Sequence, residues 1–135
     1  MARLDSRARA GEPIGVLAYR DREPIGWCSV APRETYHALE RYKALARVDD
    51  LPVWSVVCFF VDRTLRGQGV TRELLTGAVD FAVESGARIV EGYPVEPGAR
   101  RYTYMGSLAT FLAAGFADVT PPGRQRRIMR YVAAR

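Results

Sequence analysis

The sequence has one lysine, Lys43, one histidine, His37, and two cysteines, Cys28 and Cys58. Each scarcity excludes a kind of chemistry. One histidine and two cysteines do not supply the roughly four ligands of a structural zinc site, so no metal is expected. Both cysteines lie inside apolar, strand-like runs, which reads as buried free thiols and not as a disulfide. No apolar run reaches the ~20 residues that span a membrane. The opening MARLDSRARAGEP has basic residues but no apolar stretch after them, unlike a secretory signal. The expected location is cytoplasmic.

What is present is enough for one domain. The chain has 135 residues, of which 48% are hydrophobic, so a single domain over 1–135 is expected, with 1–12 polar and flexible. The formal net charge is +5, and all but one of the 20 basic residues are arginine. Such a balance suits a phosphate-bearing ligand or nucleic acid and says nothing of the fold. The densest basic run is GRQRRIMRYVAAR. Its interleaved Ile128, Met129, Tyr131 and Val132 favour a solvated strand face over a nucleic-acid patch. His37 reads as a surface histidine.

Periodicity gives the element order. Ile14–Tyr19 and Ile25–Ala31 read as strands joined by a polar hairpin turn, RDRE. RETYHALERYKAL reads as a helix with Tyr36, Leu39, Tyr42 or Lys43, and Ala46 near one face. Val53–Val61, VWSVVCFFV, is apolar almost throughout and reads as a central strand covered on both faces. VTRELLTGAVDFAVESG is the clearest helix. Its stripe is Val70, Leu74, Leu75, Ala78, Phe81 and Ala82, with Thr71 as cap and Gly86 as stop. ARIVEGYPV is a strand, SLATFLAAGF a short helix, and FADVT and RIMRYV a last pair of strands. Strand–helix–strand in the middle implies a parallel pair, and the hairpins at both ends imply antiparallel flanks. The expected class is α/β (α+β), a mixed central sheet with helices on both faces.

The stretch FFVDRTLRGQGVTRELL carries the functional signal. It passes from strand to helix through Arg66-Gly67-Gln68-Gly69, flanked by Arg63 and Arg72. Gly67 and Gly69 let the backbone approach an anion and donate its N–H groups. The helix that begins near Val70 adds roughly half a positive charge at its first turn. A Walker-type loop is absent. A Rossmann fingerprint fails because Arg72 stands where its third glycine belongs.

The pattern R/Q-x-x-G-x-G/A remains, with Arg66, Gly69 and Thr71 at its marked positions. Here the chain resembles the GNAT acetyltransferase superfamily, whose acyl-CoA pyrophosphate loop has this form. The resemblance also takes in VWSVVCFFV before the loop, the long helix after it, RIVEGYPV, and a last helix ending in LAAGF. GWCSVAPRETY and VEGYPV are similar to a bacterial subgroup of it. The match covers about Ile14 to Val132. Members usually begin with a strand and one or two helices, which this chain is expected to lack. An exposed sheet edge would then favour pairing with a second copy, a homodimer.

The resemblance implies an acyl-CoA-dependent N-acyltransferase. Acetyl-CoA would be the co-substrate and an amine would attack the thioester directly. It implies that backbone groups near Phe59, Phe60 and Val61 hold the pantetheine arm and acyl oxygen. The loop residues Arg66, Gly67, Gln68, Gly69, Val70, Thr71 and Arg72 would hold the phosphates. A general base is then expected. Glu91 is the first candidate, because a carboxylate that interrupts an apolar strand must be solvated, paired or useful. An ion pair with Arg88 or Arg33 is the alternative, and Asp49 and Asp50 are second candidates. The tyrosine that many members place four residues before the Gly-Phe pair is here Phe111. Tyr104 or Tyr102 would have to replace it as the acid. The competing function is a non-catalytic acyl-CoA-binding or interaction domain.

Overall fold

The computed structural model describes residues 2–5, 14–65, 69–96 and 103–133. Its sheet grows from the hairpin of β2 (Ile14–Arg20) and β3 (Glu23–Pro32). Asp21 and Arg22 both take positive φ, 51° and 72°, the backbone of a two-residue turn whose twist matches its strands. β4 (Trp54–Val61) pairs antiparallel with β3. The chain then crosses through α2 (Val70–Glu84) to β5 (Ile89–Gly92), which runs parallel to β4. After α3 (Leu108–Ala113) it closes with β6 (Ala117–Asp118) and β7 (Met129–Val132).

One strand was not expected. Ala2–Asp5 forms β1, antiparallel to β2, with Ala2 opposite Ala18. The expectation that an opening strand would be missing is corrected at these four residues. The ladder is made by backbone groups, and β2 would otherwise be an open edge. Four residues are too few for a side-chain alternation to announce a strand. The described residues thus form a seven-stranded sheet in the order β1-β2-β3-β4-β5-β7-β6. No described helix is long and apolar enough to cross a membrane.

Successive strand residues face opposite sides of a sheet, and β4 shows it. Val56 packs with Val16, Val30, Leu74, Leu75 and Ala78 in the core under α2. Its neighbour Val57 packs with Leu39, Leu45, Tyr93, Met105 and Ile128 in a second cluster. The fold is therefore α+β, with both faces covered. In α2 the buried stripe is Val70, Leu74, Leu75, Ala78, Val79 and Ala82. Phe81 is half-buried and meets Trp54 edge to face, ring centres 6.1 Å apart. The helix is entered through Gly69 at φ 82°, so Thr71 is not its cap. Gly86, at φ 105°, stops it as expected.

The segment 33–45 departs from its periodicity. In place of one helix it has a 3-10 turn at Arg33–Thr35, the short α1 (His37–Arg41), and a second 3-10 turn at Lys43–Leu45. The cause is Arg33, which is 1% exposed. Its Nη2 donates to the carbonyl oxygens of Leu39 (3.2 Å) and Leu45 (2.6 Å). Its Nε donates to Glu40 (3.0 Å). A buried guanidinium needs acceptors, and the chain coils around it.

Candidate active site

The site is built where β4 leaves β5. The two strands pair only through Trp54–Val56 and Val90–Gly92, yet β4 continues to Val61. Within that free portion lies Cys58, at φ 58°. Its neighbours Val57 and Phe59 pair with Ser29 and Cys28, so Cys58 is the extra residue of a β-bulge. Beyond the bulge Phe59 packs against the core and Val61 is buried, but Phe60 is 62% exposed, so the expected cover on both faces fails there.

Two cavities open beside the fork. The first, about 440 Å³, is lined by Phe59, Phe60 and Val61 of β4, Thr71 of α2, and Tyr104. Gly106, Ser107 and Thr110, at the start of α3, complete it. The sequence reading missed these three. Ser107 caps α3, its Oγ accepting from the Thr110 N–H at 3.2 Å, and Ser-x-x-Thr before an apolar run is a weak signal of that cap. The second cavity, about 500 Å³, lies on the other side of the bulge. Val57 and Cys58 form one wall, Tyr36, Leu39 and Tyr42 another, and Met105 a third. Tyr104, 50% exposed, lines both. Their linings adjoin in the chain at Cys58–Phe59 and at Tyr104–Gly106.

Other expected ligand-binding residues fall as follows. Gly69 is exposed, and a Cβ there would have nothing within 4 Å. Gly69 is the residue before α2 and has no side chain with which to cap its first N–H groups. Val70 is a core residue whose Cγ1 would stand 2.9 Å from a Cβ on Gly26; it can offer only backbone. Arg72 is exposed and lines neither cavity. Arg66, Gly67, Gln68 and Tyr102 lie outside the described residues.

Glu91 does not face either cavity. It is 1% exposed. Its Oε1 accepts from Arg33 Nη1 (3.2 Å) and from the Tyr93 hydroxyl (2.8 Å), and its Oε2 accepts from Arg130 Nε (2.7 Å). The Tyr93 hydroxyl also lies 2.6 Å from Ser55 Oγ, and burial pushes Tyr93 well above the usual phenol range. This geometry is that of the ion pair with Arg33, the alternative to a base. Asp49 is likewise engaged, by Arg130 Nη1 and Nη2 at 2.8 Å each. That contact holds its carboxyl below the usual range.

The described C-terminal arginines are bonded to the rest of the fold. Arg124 donates to the Ala46 carbonyl (2.6 Å), Arg126 to the Tyr93 carbonyl (2.9 Å), and Arg127 to Asp118 (3.1 Å). With Arg130 they brace the last hairpin against the loops around the second cavity. His37 is exposed, Cys28 is buried, and Cys58 is half-buried, both thiols being free. Burial pushes both thiols up.

Phe111 is fully buried. Its ring meets Phe59 and Phe116 edge to face, with centres 6.1 and 4.9 Å apart. It is a core residue and brings no hydroxyl to either cavity.

The arrangement can be compared with known proteins. No curated protein sequence matches the chain. Among solved structures of this fold is a ribosomal-protein-alanine N-acetyltransferase from Brucella melitensis. It is 18% identical with a TM-score of 0.58, over 90% of this chain and 69% of that one. A GCN5-related N-acetyltransferase from Kribbella flavida is 19% identical with a TM-score of 0.61, over 90% and 68%. The PaiA N-acetyltransferase from Thermoplasma acidophilum, in complex with coenzyme A, is 13% identical with a TM-score of 0.55, over 88% and 60%. At these identities the likeness is one of fold. The sequence profile of the acetyltransferase (GNAT) family matches residues 2–105, and the chain belongs to that family.

Proposed function

We propose that the protein is an acyl-CoA-dependent N-acyltransferase that moves acetyl from acetyl-CoA to an amine by direct attack. One observation supports this reading: two cavities of about 500 and 440 Å³ share Tyr104 in their linings beside a bulged strand. Direct transfer needs its two substrates to touch, and a shared lining residue suits that.

The first cavity fits the pantetheine end of acetyl-CoA. Phe59 and Phe60 give it apolar surface. The uncapped N-terminus of α2 at Gly69 suits the diphosphate. Bound there, acetyl-CoA supplies the activated acyl group. The peptide groups of β4 beyond Val56, released from β5, are fixed dipoles for the acyl oxygen. Tyr104, which lines both cavities, is the acid we assign to the leaving sulfur. Glu91 is not placed to act as base; it holds Arg33 and Arg130, and through them the wall of the second cavity.

The second reading is a domain that binds acyl-CoA without turnover, and buried Phe111 is the observation that favours it. Thiol release from acetyl-CoA across an amine panel decides. Amine-dependent release supports the enzyme. Saturable acetyl-CoA binding with no release for any amine supports the binding domain.

A further inference from the structure

Resting on the acyl-CoA reading above, we propose that the second cavity takes the acceptor, and that the acceptor is a small arylalkyl or branched-alkyl amine with an apolar body and no second charge. The amino group would lie on the side of Tyr104, which both cavities share, and the body against Leu39, Tyr42, Val57 and Met105.

Size and lining choose the class. A volume of about 500 Å³ suits a small molecule. Leu39, Leu45, Val57 and Met105 belong to one buried apolar cluster, against which Tyr36 and Tyr42 pack. The Tyr36 hydroxyl lies 2.6 Å from Ser29 Oγ, so that polar atom has its partner within the fold. The wall from Tyr36 to Leu45 is also held in place, because buried Arg33 donates to the carbonyl oxygens of Leu39 and Leu45. A pre-formed apolar wall takes an apolar body and penalises a group that must stay solvated. The ionisable side chains of the lining are Tyr36, Arg41, Tyr42, Cys58, Tyr104 and Arg126, and none is a carboxylate. A polyamine or an amino sugar with several ammonium groups would find no anionic partner among them. That holds whether or not the two guanidiniums are themselves engaged. Arg126 is bound to the Tyr93 carbonyl and Arg41 is exposed, and neither is assigned a part in holding the acceptor.

The same lining bears on the missing base. An amine attacks only when neutral, and apolar surroundings disfavour its ammonium form. The pocket would thus favour the neutral amine without a carboxylate to deprotonate it. In the transfer a C–N bond forms and the thioester C–S bond breaks. The amine gives up one proton and the thiolate takes one, so that amide and thiol leave.

The test is kcat/KM for acetyl transfer to phenethylamine, isopentylamine, ethylamine and spermidine. Thermal shift with acetyl-CoA runs in parallel, as does thermal shift with phenethylamine added to the CoA-saturated protein. Phenethylamine and isopentylamine should each exceed ethylamine by at least about tenfold, the low end of what one buried methylene is worth. Spermidine should fall below both. Tyr42→Ala should lower the rate with phenethylamine and leave that with ethylamine little changed. Ala38→Asp puts a carboxylate into the lining at an exposed position of α1. It should raise spermidine relative to phenethylamine by about two- to fivefold, the worth of an exposed ion pair. Because Ala38 is exposed, its variant tests the inference even if Tyr42→Ala fails to fold. Ethylamine or spermidine used as well as phenethylamine by the parent overturns the inference, and so does an Ala38→Asp protein with the parent's ratio. The absence of both transfer to and stabilisation by phenethylamine, while acetyl-CoA still raises the melting temperature, overturns it too. If acetyl-CoA itself gives no shift, the reading beneath it has failed instead.

Discussion

Phe111 lies so close to Gly92 that a Cβ on Gly92 would stand 2.0 Å from its Cε2. Gly106 confines the same ring from another direction, its Cβ position being 2.9 Å from Cε1. The end of β5 and the approach to α3 are glycine because this ring fills the fork between β4 and β5. The fork is what creates the two cavities, so Phe111 shapes the site without touching a substrate.

Gly92→Ala should therefore destabilise the fold by about 1–3 kcal/mol, the usual cost of overpacking. Gly92→Ala combined with Phe111→Leu should recover part of the loss. Urea unfolding of the three proteins measures this. A Gly92→Ala protein as stable as the parent would mean that the ring is not confined.

Glu91→Gln should cost about 3–5 kcal/mol, as expected when one partner of a buried ion pair is removed and charged guanidiniums are left behind. Turnover should fall only in proportion to the folded fraction. A stable Glu91→Gln protein with a large drop in kcat would restore Glu91 as the base.

The surface ion pairs set the acid limb of stability. Hydrogen bonds from Arg47 hold the Glu40 carboxyl below its usual range, and those from Arg130 do the same for Asp49. A folded-state pKa below the unfolded one gives stability that is present above about pH 4. It is lost as pH falls through the folded values. The protein should unfold at lower denaturant at pH 3 than at pH 6, and Asp49→Asn should flatten that difference. Equal slopes for parent and variant would show that the Asp49–Arg130 contact does not form in solution.

Parts of this architecture are legible in the sequence for physical reasons. The 3.6-residue stripe from Val70 to Ala82 specifies α2, and the apolar run Val53–Val61 specifies the central strand. Gly69 before the helix marks the open N-terminus. Other parts have no local signal. The bulge at Cys58 needs positive φ at a residue that rarely adopts it, and it is set by pairing with β3. The coil at 33–45 answers a guanidinium that becomes buried only when β5 brings Glu91 to it. The cavity walls join residues 36, 57, 104 and 126, which no spacing connects. Glu91 stands out in its strand for a sound reason, but pairing and catalysis leave the same mark in a sequence.

Tyr104→Phe should leave acetyl-CoA affinity little changed and lower kcat by about 10²–10⁴-fold, the range for a positioned acid. Steady-state kinetics with direct binding separate the two effects. Unchanged kcat would assign protonation of the thiolate to solvent.

The most direct measurement is calorimetric titration of acetyl-CoA into the parent protein and into Gly69→Asp. A Cβ on Gly69 meets no described atom within 4 Å, while its φ of 82° strains any side chain, so folding of the variant is checked first by circular dichroism. Its carboxylate would occupy the place proposed for the diphosphate. The account predicts saturable binding to the parent and loss of that binding in a folded Gly69→Asp protein. No binding to the parent, or equal binding to both, would contradict it.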